Sequence, residues 1–559
     1  MDKIEPNELP KFYYWNYFGF ILNFIKKHYV NLLNEDELHF LSIYEGLPFT
    51  AQCLLIRLGS RKPNWFQQNK LHYSEIENLS QAFEDLKTLN LIQYIKDVNA
   101  IDLQQLFQEL TKEELFLICK DFPQDLGVKK SYSKEAFLQI LLEIESDIIK
   151  KILEKLFPDL FRLNYRVYFD FFQFLFFGSK ARDLTEFVVK DLGFRQFFEI
   201  QEEDLIPYFS NRQEAIEKWK ISNWNEAFLL AIKQKANPIY WIQSWNEEIL
   251  PLLEELTELS YGSFERSVMA LGRNLERSGF SEEALEIYQW GLGSQSLERR
   301  IRILQKLKRT QEAITYARLG LELFTHPNDR HFYQDFLGKF SEEKVIKQVT
   351  QKLKKAEIVE IEQDITLSVE AQVANYYISE GFQAAFTENR IWKNLMGILA
   401  WDILFDAQNQ TFSHPFQMAP SQYRLENFGL NSLHEFRKKL DLLQDLNHFW
   451  DDFNQLKALH EGTLNPLLDW QDLDEELLKV FLTGLPTDAL ITILEQMWLN
   501  ISTHSKGFPD LMVWSETNLF FVEVKSPNDH LSPIQFFWNE LLNEVGIESK
   551  IVRIKWIKN

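Results

Sequence analysis

Three charged residues near the C-terminus, Asp510, Glu523 and Lys525, have the types and spacing for phosphodiester cleavage. Asp510 follows Gly507-Phe508-Pro509 and opens an apolar run, Asp510–Trp514, while Glu523 and Lys525 close a second run, Leu519–Lys525. Between them lies Ser515-Glu516-Thr517-Asn518, a polar turn, so the pattern predicts an antiparallel hairpin. A turn centred between Glu516 and Thr517 sets Asp510 opposite Glu523, and cross-strand partners share a face. Side chains alternate along a strand, so Lys525 joins that face. A slip of one residue would send the two acids to opposite faces, which makes this register the assumption to test.

The chemistry follows from the residue types. Two carboxylates and the carbonyl of Val524 offer hard oxygen ligands for Mg²⁺ or Mn²⁺. Such an ion lowers the pKa of bound water and polarises a phosphate, and Lys525 would orient the nucleophile or balance transition-state charge. Uncatalysed phosphodiester hydrolysis is slow enough to need that help. A Glu-x-Lys alone is common and reads as a surface ion pair; the Pro-Asp at pairing distance and the Phe, Val and Leu flanks favour a site.

A third carboxylate would hold the ion better, and Glu388 is the candidate. The spacing predicts a helix over Ile391–Phe405 with Thr387 as cap, which places Glu388 in the first turn on the stripe of Ile391, Trp392 and Leu395. Two roles stay open for it: a core-facing acid that needs a metal, or an acid complementing the helix dipole. Downstream, Ser532 caps a helix with Pro533 in the favoured first position. Gln535 then either points back toward the strand ends as active-site support or is a plain polar helix residue. No Walker-type phosphate loop and no His-Glu-x-x-His pair occurs, so neither a nucleotide cofactor nor a zinc hydrolase is indicated.

The elements that must position this hairpin occupy 559 residues, room for roughly three or four domains. Hydrophobic content of 45% and charged content of 25% suit a folded soluble protein, and 47 Phe suggest packed helix interfaces. Two cysteines, Cys53 and Cys119, are too few for a zinc-finger set or a disulfide framework and fit a reducing cytoplasm. Phe12–Ile25 and Phe169–Phe177 are apolar but short for membrane spans and carry polar residues, so both read as core helices with no membrane partner.

Nearly everything before residue 360 has helical spacing, and strand-like runs gather at the end in Asp510–Trp514, Leu519–Lys525 and Ile551–Trp556. Residues 31–95 suit a small helical or winged-helix unit. The net charge of −22 opposes nucleic-acid binding unless basic residues are grouped. Three groups qualify as DNA contacts. Arg57, Arg61, Lys62 and Lys70 interleave with Trp65 and Phe66; Lys129 and Lys130 sit at a helix–helix junction; Arg299, Arg302, Lys306 and Arg309 share one helix face. Each also reads as an ordinary solvated or structural cluster. Ser281–Trp290 and Thr310–Leu323 have a tetratricopeptide-like texture without a clean period of about 34 residues.

The chain resembles the Fanconi-associated nucleases, whose catalytic module is the VRR-nuclease branch of the PD-(D/E)xK fold. The likeness is carried by Gly507-Phe508-Pro509-Asp510-Leu511, Val522-Glu523-Val524-Lys525, Pro527-Asn528-Asp529-His530-Leu531-Ser532 with Gln535 and Trp538, and Phe386-Thr387-Glu388-Asn389. Trp401–Phe405, His414–Pro420, Leu54–Leu58 and Phe176–Gly178 add to it. Two positions depart: His530 stands where Arg is common and Ser526 where Gly is common.

The resemblance implies a multidomain, mainly α-helical protein with a C-terminal α/β restriction-endonuclease-like domain. Its order would be a winged-helix-like DNA-binding region over 1–98, an SAP-like DNA-binding segment over 99–160, a tetratricopeptide-like domain over 161–360 and a VRR-nuclease domain over 361–559. It implies a structure-specific deoxyribonuclease of phosphodiesterase I type, a 5′-flap endonuclease and 5′-to-3′ exonuclease acting on branched DNA in interstrand-crosslink repair. The matching Glu388, Asp510 and Glu523 would hold Mg²⁺ or Mn²⁺, with Lys525 assisting. The compact length without zinc ligands resembles a bacterial member, placed in the cytoplasm at the nucleoid. The competing readings are a Holliday-junction-resolvase-like or restriction-like endonuclease and a helical repair scaffold with an inactive nuclease domain.

Overall fold

The aromatic runs pair with each other. Tyr13–His28 and Arg166–Phe177 form helices packed side by side, with Phe18 stacked on Phe169 at 4.6 Å and Phe24 edge-on to Phe176 at 5.2 Å. Burying such large rings supplies much of the local stabilisation, and edge or offset contacts add to it. The computed structural model describes residues 8–98, 102–124, 126–324, 327–340, 348–406, 410–425 and 427–557. By backbone contacts the chain divides into two units: residues to Phe194 with Pro207–Ala215, and Arg195–Ile206 with the chain from Ile216 onward.

In the first unit, strands β1 (Trp65–Gln67), β2 (Ile92–Tyr94) and β3 (Leu160–Leu163) make an antiparallel sheet in the order β1-β3-β2. These strands add to the nearly all-helical spacing before residue 360 and suit the winged-helix alternative; runs of three or four residues are too short to show an alternating period. They also show that the boundary expected at 160/161 runs through this unit, because β3 closes the small sheet and the next helix packs on Tyr13–His28. The segment between β2 and β3 folds into helices Leu103–Glu109, Lys112–Lys120, Lys134–Leu142 and Ser146–Leu156 around Leu106, Phe107, Leu115, Ile118, Phe137 and Leu141. Thr111 and Glu114 close a reciprocal capping box, and Ser133 caps the third helix.

The second unit begins its helical part with pairs that pack glycine under tyrosine. A Cβ on Gly272 of helix Glu258–Arg277 would lie 2.6 Å from the Tyr288 ring, and one on Gly320 of helix Thr310–Leu323 would lie 2.5 Å from Tyr333. Only glycine lets the rings seat so closely, and the recurrence of the contact gives this region its repeat-like character.

The C-terminal part is a five-stranded mixed sheet of β4 (Glu357–Glu362), β5 (Gln383–Phe386), β6 (Leu511–Trp514), β7 (Leu519–Lys525) and β8 (Ser549–Ile557), in the order β4-β8-β7-β6-β5. The hairpin β6–β7 and the pair β5–β6 are antiparallel, whereas β7–β8 and β4–β8 are parallel. Helix Val369–Ser379 covers one face, seating Val373 and Tyr377 against Leu511, Val513, Phe520 and Val522. On the other face Trp392 stacks on Phe508 at 4.7 Å, and Phe508 stacks on Trp538 at 4.2 Å. Among the described residues no single helix is long and apolar enough to cross a membrane.

Candidate active site

The hairpin has the register that the chemistry requires. Leu511 pairs with Val522, Met512 with Phe521, Val513 with Phe520 and Trp514 with Leu519, and the Ser515 N–H donates to the Asn518 carbonyl at 2.8 Å to close the turn. One further step along this ladder brings Asp510 level with Glu523. Instead of a ladder bond, Asp510 Oδ2 accepts the Val524 N–H at 2.8 Å, locking the acid onto the neighbouring strand. The bend before it needs Gly507, whose φ is +82° and whose Cα faces Ile534 too closely for a side chain.

Glu523 is 2% exposed and Lys525 is 7% exposed. The Lys525 ammonium stands 2.7 Å from Glu523 Oε1, an ion pair by distance that is not aligned as a hydrogen bond, and Oε2 has no hydrogen-bond partner among the described residues. Lys525 Nζ donates to Gln535 Oε1 at 3.1 Å. Gln535 also accepts the Ser532 N–H, while the Ser532 hydroxyl accepts the Gln535 N–H, a complete capping box with Pro533 in the first turn. Gln535 thus completes the helix cap and also touches Lys525, the contact that a supporting role requires.

Electrostatics mark the pair. Burial, then the neighbouring Asp510 charge, push Glu523 up from 4.5 to about 8. Burial pushes Asp510 up from 3.8 to about 6 against the opposing Val524 N–H and Lys525 ammonium, and the charges of Glu370 and Glu388 raise it further. A buried acid and a half-buried one, both resisting ionisation, are a fitting place for a divalent cation, which favours both charged forms.

Glu388 lies elsewhere than its spacing suggests. Helix Arg390–Leu399 begins after Asn389 and ends at Ala400, with a separate short helix Trp401–Leu404, so the continuous Ile391–Phe405 helix is corrected. Thr387 does not cap it: its hydroxyl is buried without a hydrogen-bond partner among the described residues. Glu388 occupies the joint between β5 and the helix with φ of +32°, a region few non-glycine residues enter. Both the Thr387 and the Glu388 N–H donate to the Asp510 carbonyl at 3.0 Å, so the third acid is fixed to the first through the backbone. Its carboxylate accepts from Asn389 Nδ2 at 2.9 Å. Among the described residues no three His, Cys, Asp or Glu side chains converge as a ready-made ion cage.

Two residues near the site have no assigned role in the sequence reading. Glu370, in the first turn of helix Val369–Ser379, contributes charge at Asp510, and Asn389 bridges Glu388 to the Phe508 N–H. Neither has a local signal, because each gains its meaning from strands far away in sequence. The Ser526 departure leaves its turn intact, with Asp529 Oδ2 accepting the Ser526 N–H and the Asp529 N–H donating back to the Ser526 carbonyl; His530 is exposed.

The basic candidates separate by their partners. Arg57 is paired with Glu75 at 2.5 Å and lies over the Tyr14 ring, and Arg61 lies over Tyr73. Trp65 and Phe66 are buried on β1, which removes the stacking platform read from their interleaving with cations. Lys70 pairs with Glu114. Arg299 pairs with Glu276, Arg302 with Glu298 at 2.7 Å, and Arg309 with Glu312 at 2.6 Å, while Lys306 donates to the Ser281 hydroxyl at 3.2 Å. Lys62, Lys129 and Lys130 are exposed.

Comparison with known proteins agrees with this architecture. Residues 12–93 match the family described as FAN1, HTH domain, and residues 449–556 match the VRR-NUC domain. The chain is 24% identical to the Fanconi-associated nuclease 1 homolog of Pseudomonas aeruginosa, covering 99% of this chain and 98% of that protein. It is 24% identical to the homolog of Arabidopsis thaliana over 96% of this chain and 66% of the plant protein. Its fold matches a crystal structure of paFAN1 bound to 2nt 5′-flap DNA with gap, at a TM-score of 0.80, 24% identity and coverage of 99% and 100%. One region thus matches the FAN1 helix-turn-helix model and another the VRR-NUC model, and along nearly its whole length the chain is similar to Fanconi-associated nuclease 1 homologs.

Proposed function

We propose that the protein is a Mg²⁺- or Mn²⁺-dependent deoxyribonuclease that incises 5′ flaps on branched DNA and degrades 5′ ends in the 5′-to-3′ direction during interstrand-crosslink repair. The observation that carries this reading is the Asp510–Glu523 pair, half-buried and buried, both acids pushed toward protonation, with Lys525 against Glu523. The 5′-flap DNA in two crystal structures of paFAN1 supports the choice of substrate. Such a substrate puts the protein at the nucleoid in a bacterial cytoplasm.

When bound, Mg²⁺ or Mn²⁺ supplies Lewis-acid activation of water and of the scissile phosphate. Asp510, Glu523 and Glu388 would hold it, with the Val524 carbonyl as a further oxygen. The Val524 N–H fixes the rotamer of Asp510, so one ligand is oriented before the ion arrives. Lys525, aimed by Gln535, brings a cation to the same face, where it balances charge that grows on the phosphate oxygens. The apolar residues around Glu523 keep solvent from competing for these groups.

Labelled 5′-flap, 3′-flap, four-way and linear DNA, incubated with Mn²⁺ or Mg²⁺, tests the proposal with wild type beside Asp510→Ala. Wild type should cut the 5′ flap fastest and shorten 5′ ends, while Asp510→Ala binds the flap without cutting. Equal cutting by both proteins would remove Asp510 from the site. A preference for intact four-way junctions would mean a resolvase, and no cutting of any substrate by wild type would mean a scaffold.

A further inference from the structure

Asn389 makes two hydrogen bonds that join separate parts of the site. Its Oδ1 accepts the Phe508 N–H at 3.1 Å, and its Nδ2 donates to Glu388 Oε1 at 2.9 Å. Phe508 belongs to the Gly507-Phe508-Pro509 bend that delivers Asp510, and it is clamped between the rings of Trp392 and Trp538. One end of the amide is therefore anchored to a bend packed between two indole rings, while the other end holds the acid at the strand–helix joint.

We propose that Asn389 is a positioning residue for divalent-ion binding, holding the Glu388 carboxylate in register with Asp510. The inference rests on the proposed role of Glu388 as a metal ligand. Among uncharged side chains of this length, a carboxamide accepts at one atom and donates at the next, as both bonds require. Aspartate in its place would keep the Phe508 bond but set a carboxylate against Glu388.

The local backbone explains why such a brace is needed. The Glu388 main chain is held by its own N–H and that of Thr387, both on the Asp510 carbonyl, and by the Arg390 N–H on the Thr387 carbonyl at 2.8 Å. These bonds fix the Cα at a φ of +32° but leave the side-chain torsions free. A half-buried glutamate with several rotatable bonds loses conformational freedom when it must point one way, and Asn389 removes that freedom before an ion binds. Only Oε1 receives the Asn389 bond, so the second oxygen is left for the metal. Hydrogen-bond partners of carboxylate ligands tune metal affinity in this manner, by about 10- to 100-fold.

The test is calorimetric titration of Mn²⁺ into the full chain without DNA, for wild type, Asn389→Ala, Asn389→Asp, Glu388→Ala and the double variant Glu388→Ala with Asn389→Ala. Thermal melts establish that each protein is folded, and gel shifts with 5′-flap DNA in chelator report substrate binding. Asn389→Ala and Asn389→Asp should each weaken Mn²⁺ binding by about tenfold or more. Glu388→Ala should weaken it at least as much, the double variant no further than Glu388→Ala, and flap binding should stay within about twofold. Should Asn389→Ala fail to fold, Asn389→Asp, which keeps the Phe508 bond, decides the question. Wild-type Mn²⁺ affinity in the Asn389 variants, with weakened binding in Glu388→Ala, overturns the positioning role and leaves the metal site standing. Wild-type affinity in Glu388→Ala overturns Glu388 as a ligand and Asn389 with it. An additional loss in the double variant would mean that Asn389 acts on the bend rather than through Glu388.

Discussion

On the helix Ser294–Lys306, cations lie at the surface and neighbouring acids answer them: Arg299 meets Glu276 and Arg302 meets Glu298. On the hairpin, Glu523 is buried beside the half-buried Asp510, with the buried Lys525 ammonium against Glu523. Both are clusters of charge at regular spacing, yet their energetics are opposite. The surface pairs satisfy themselves and contribute little, because water already solvates each partner. The buried pair is unfavourable as it stands, since removing carboxylates from water costs several kcal/mol that one lysine does not fully offset. A cluster that the fold holds at such a cost is a candidate functional site, and the proposed divalent ion would offset that cost.

Breaking the cationic side of the hairpin should have an effect second only to removing its acids. Lys525→Ala is expected to lower single-turnover cleavage of a 5′ flap by about 10²- to 10³-fold while flap binding is kept. A gel shift showing lost binding would count against its catalytic role and move Lys525 toward simple substrate attraction.

The burial of the acids can be read from stability. Both carboxyls titrate higher in the fold than in the unfolded chain, Asp510 near 6 and Glu523 near 8. The folded protein therefore binds protons that the unfolded chain has released, and this stabilisation is complete below about pH 4 and lost as pH rises through those values. In chelator, the melting temperature of wild type should fall more steeply from pH 5 to 8.5 than that of Glu523→Gln, flasks and ionic strength matched. Parallel slopes would mean that Glu523 is not held neutral in the metal-free fold.

The basic groups offer a smaller contrast. Lys129 and Lys130, exposed at their helix junction, should matter more than the paired stripe. Replacing both with alanine should weaken flap binding by up to about tenfold and reduce its salt dependence by about two phosphate contacts. Arg302→Ala with Arg309→Ala, whose cations are already occupied, should change affinity by less than about twofold and leave the melting temperature within about two degrees. If the second pair proves the stronger, the DNA lies across the tetratricopeptide-like helices and the ion pairs there open to receive it.

Much of the site was legible because its signals are local. Asp510–Trp514 and Leu519–Lys525 carry their own turn, and the turn fixes the register, so the convergence of Asp510 with Glu523 follows from counting. Ser532-Pro533 with Gln535 likewise announces a capped helix start. Glu388 was visible as a residue but not as a geometry. Its strand, Gln383-Ala384-Ala385-Phe386, has weak strand-forming residues and pairs only because β6 offers an open edge. Helical spacing therefore extended too far upstream and placed Glu388 in a helix that starts beyond it. The three strands of the small sheet are too short for periodicity, and only their mutual pairing reveals them. Asn389 is the clearest limit: its two partners are Glu388, the next residue, and Phe508, far along the chain.

The most direct test of the buried pair as a metal-dependent cleavage site is single-turnover cutting of a labelled 5′-flap duplex by Glu523→Gln beside wild type at saturating Mn²⁺. Glutamine keeps the shape and removes the charge, so fold and flap binding should persist while the rate falls by about 10³-fold. A folded, DNA-binding Glu523→Gln that cuts within about threefold of wild type would contradict the account, because the reaction would then not depend on the carboxylate that the fold takes such pains to bury.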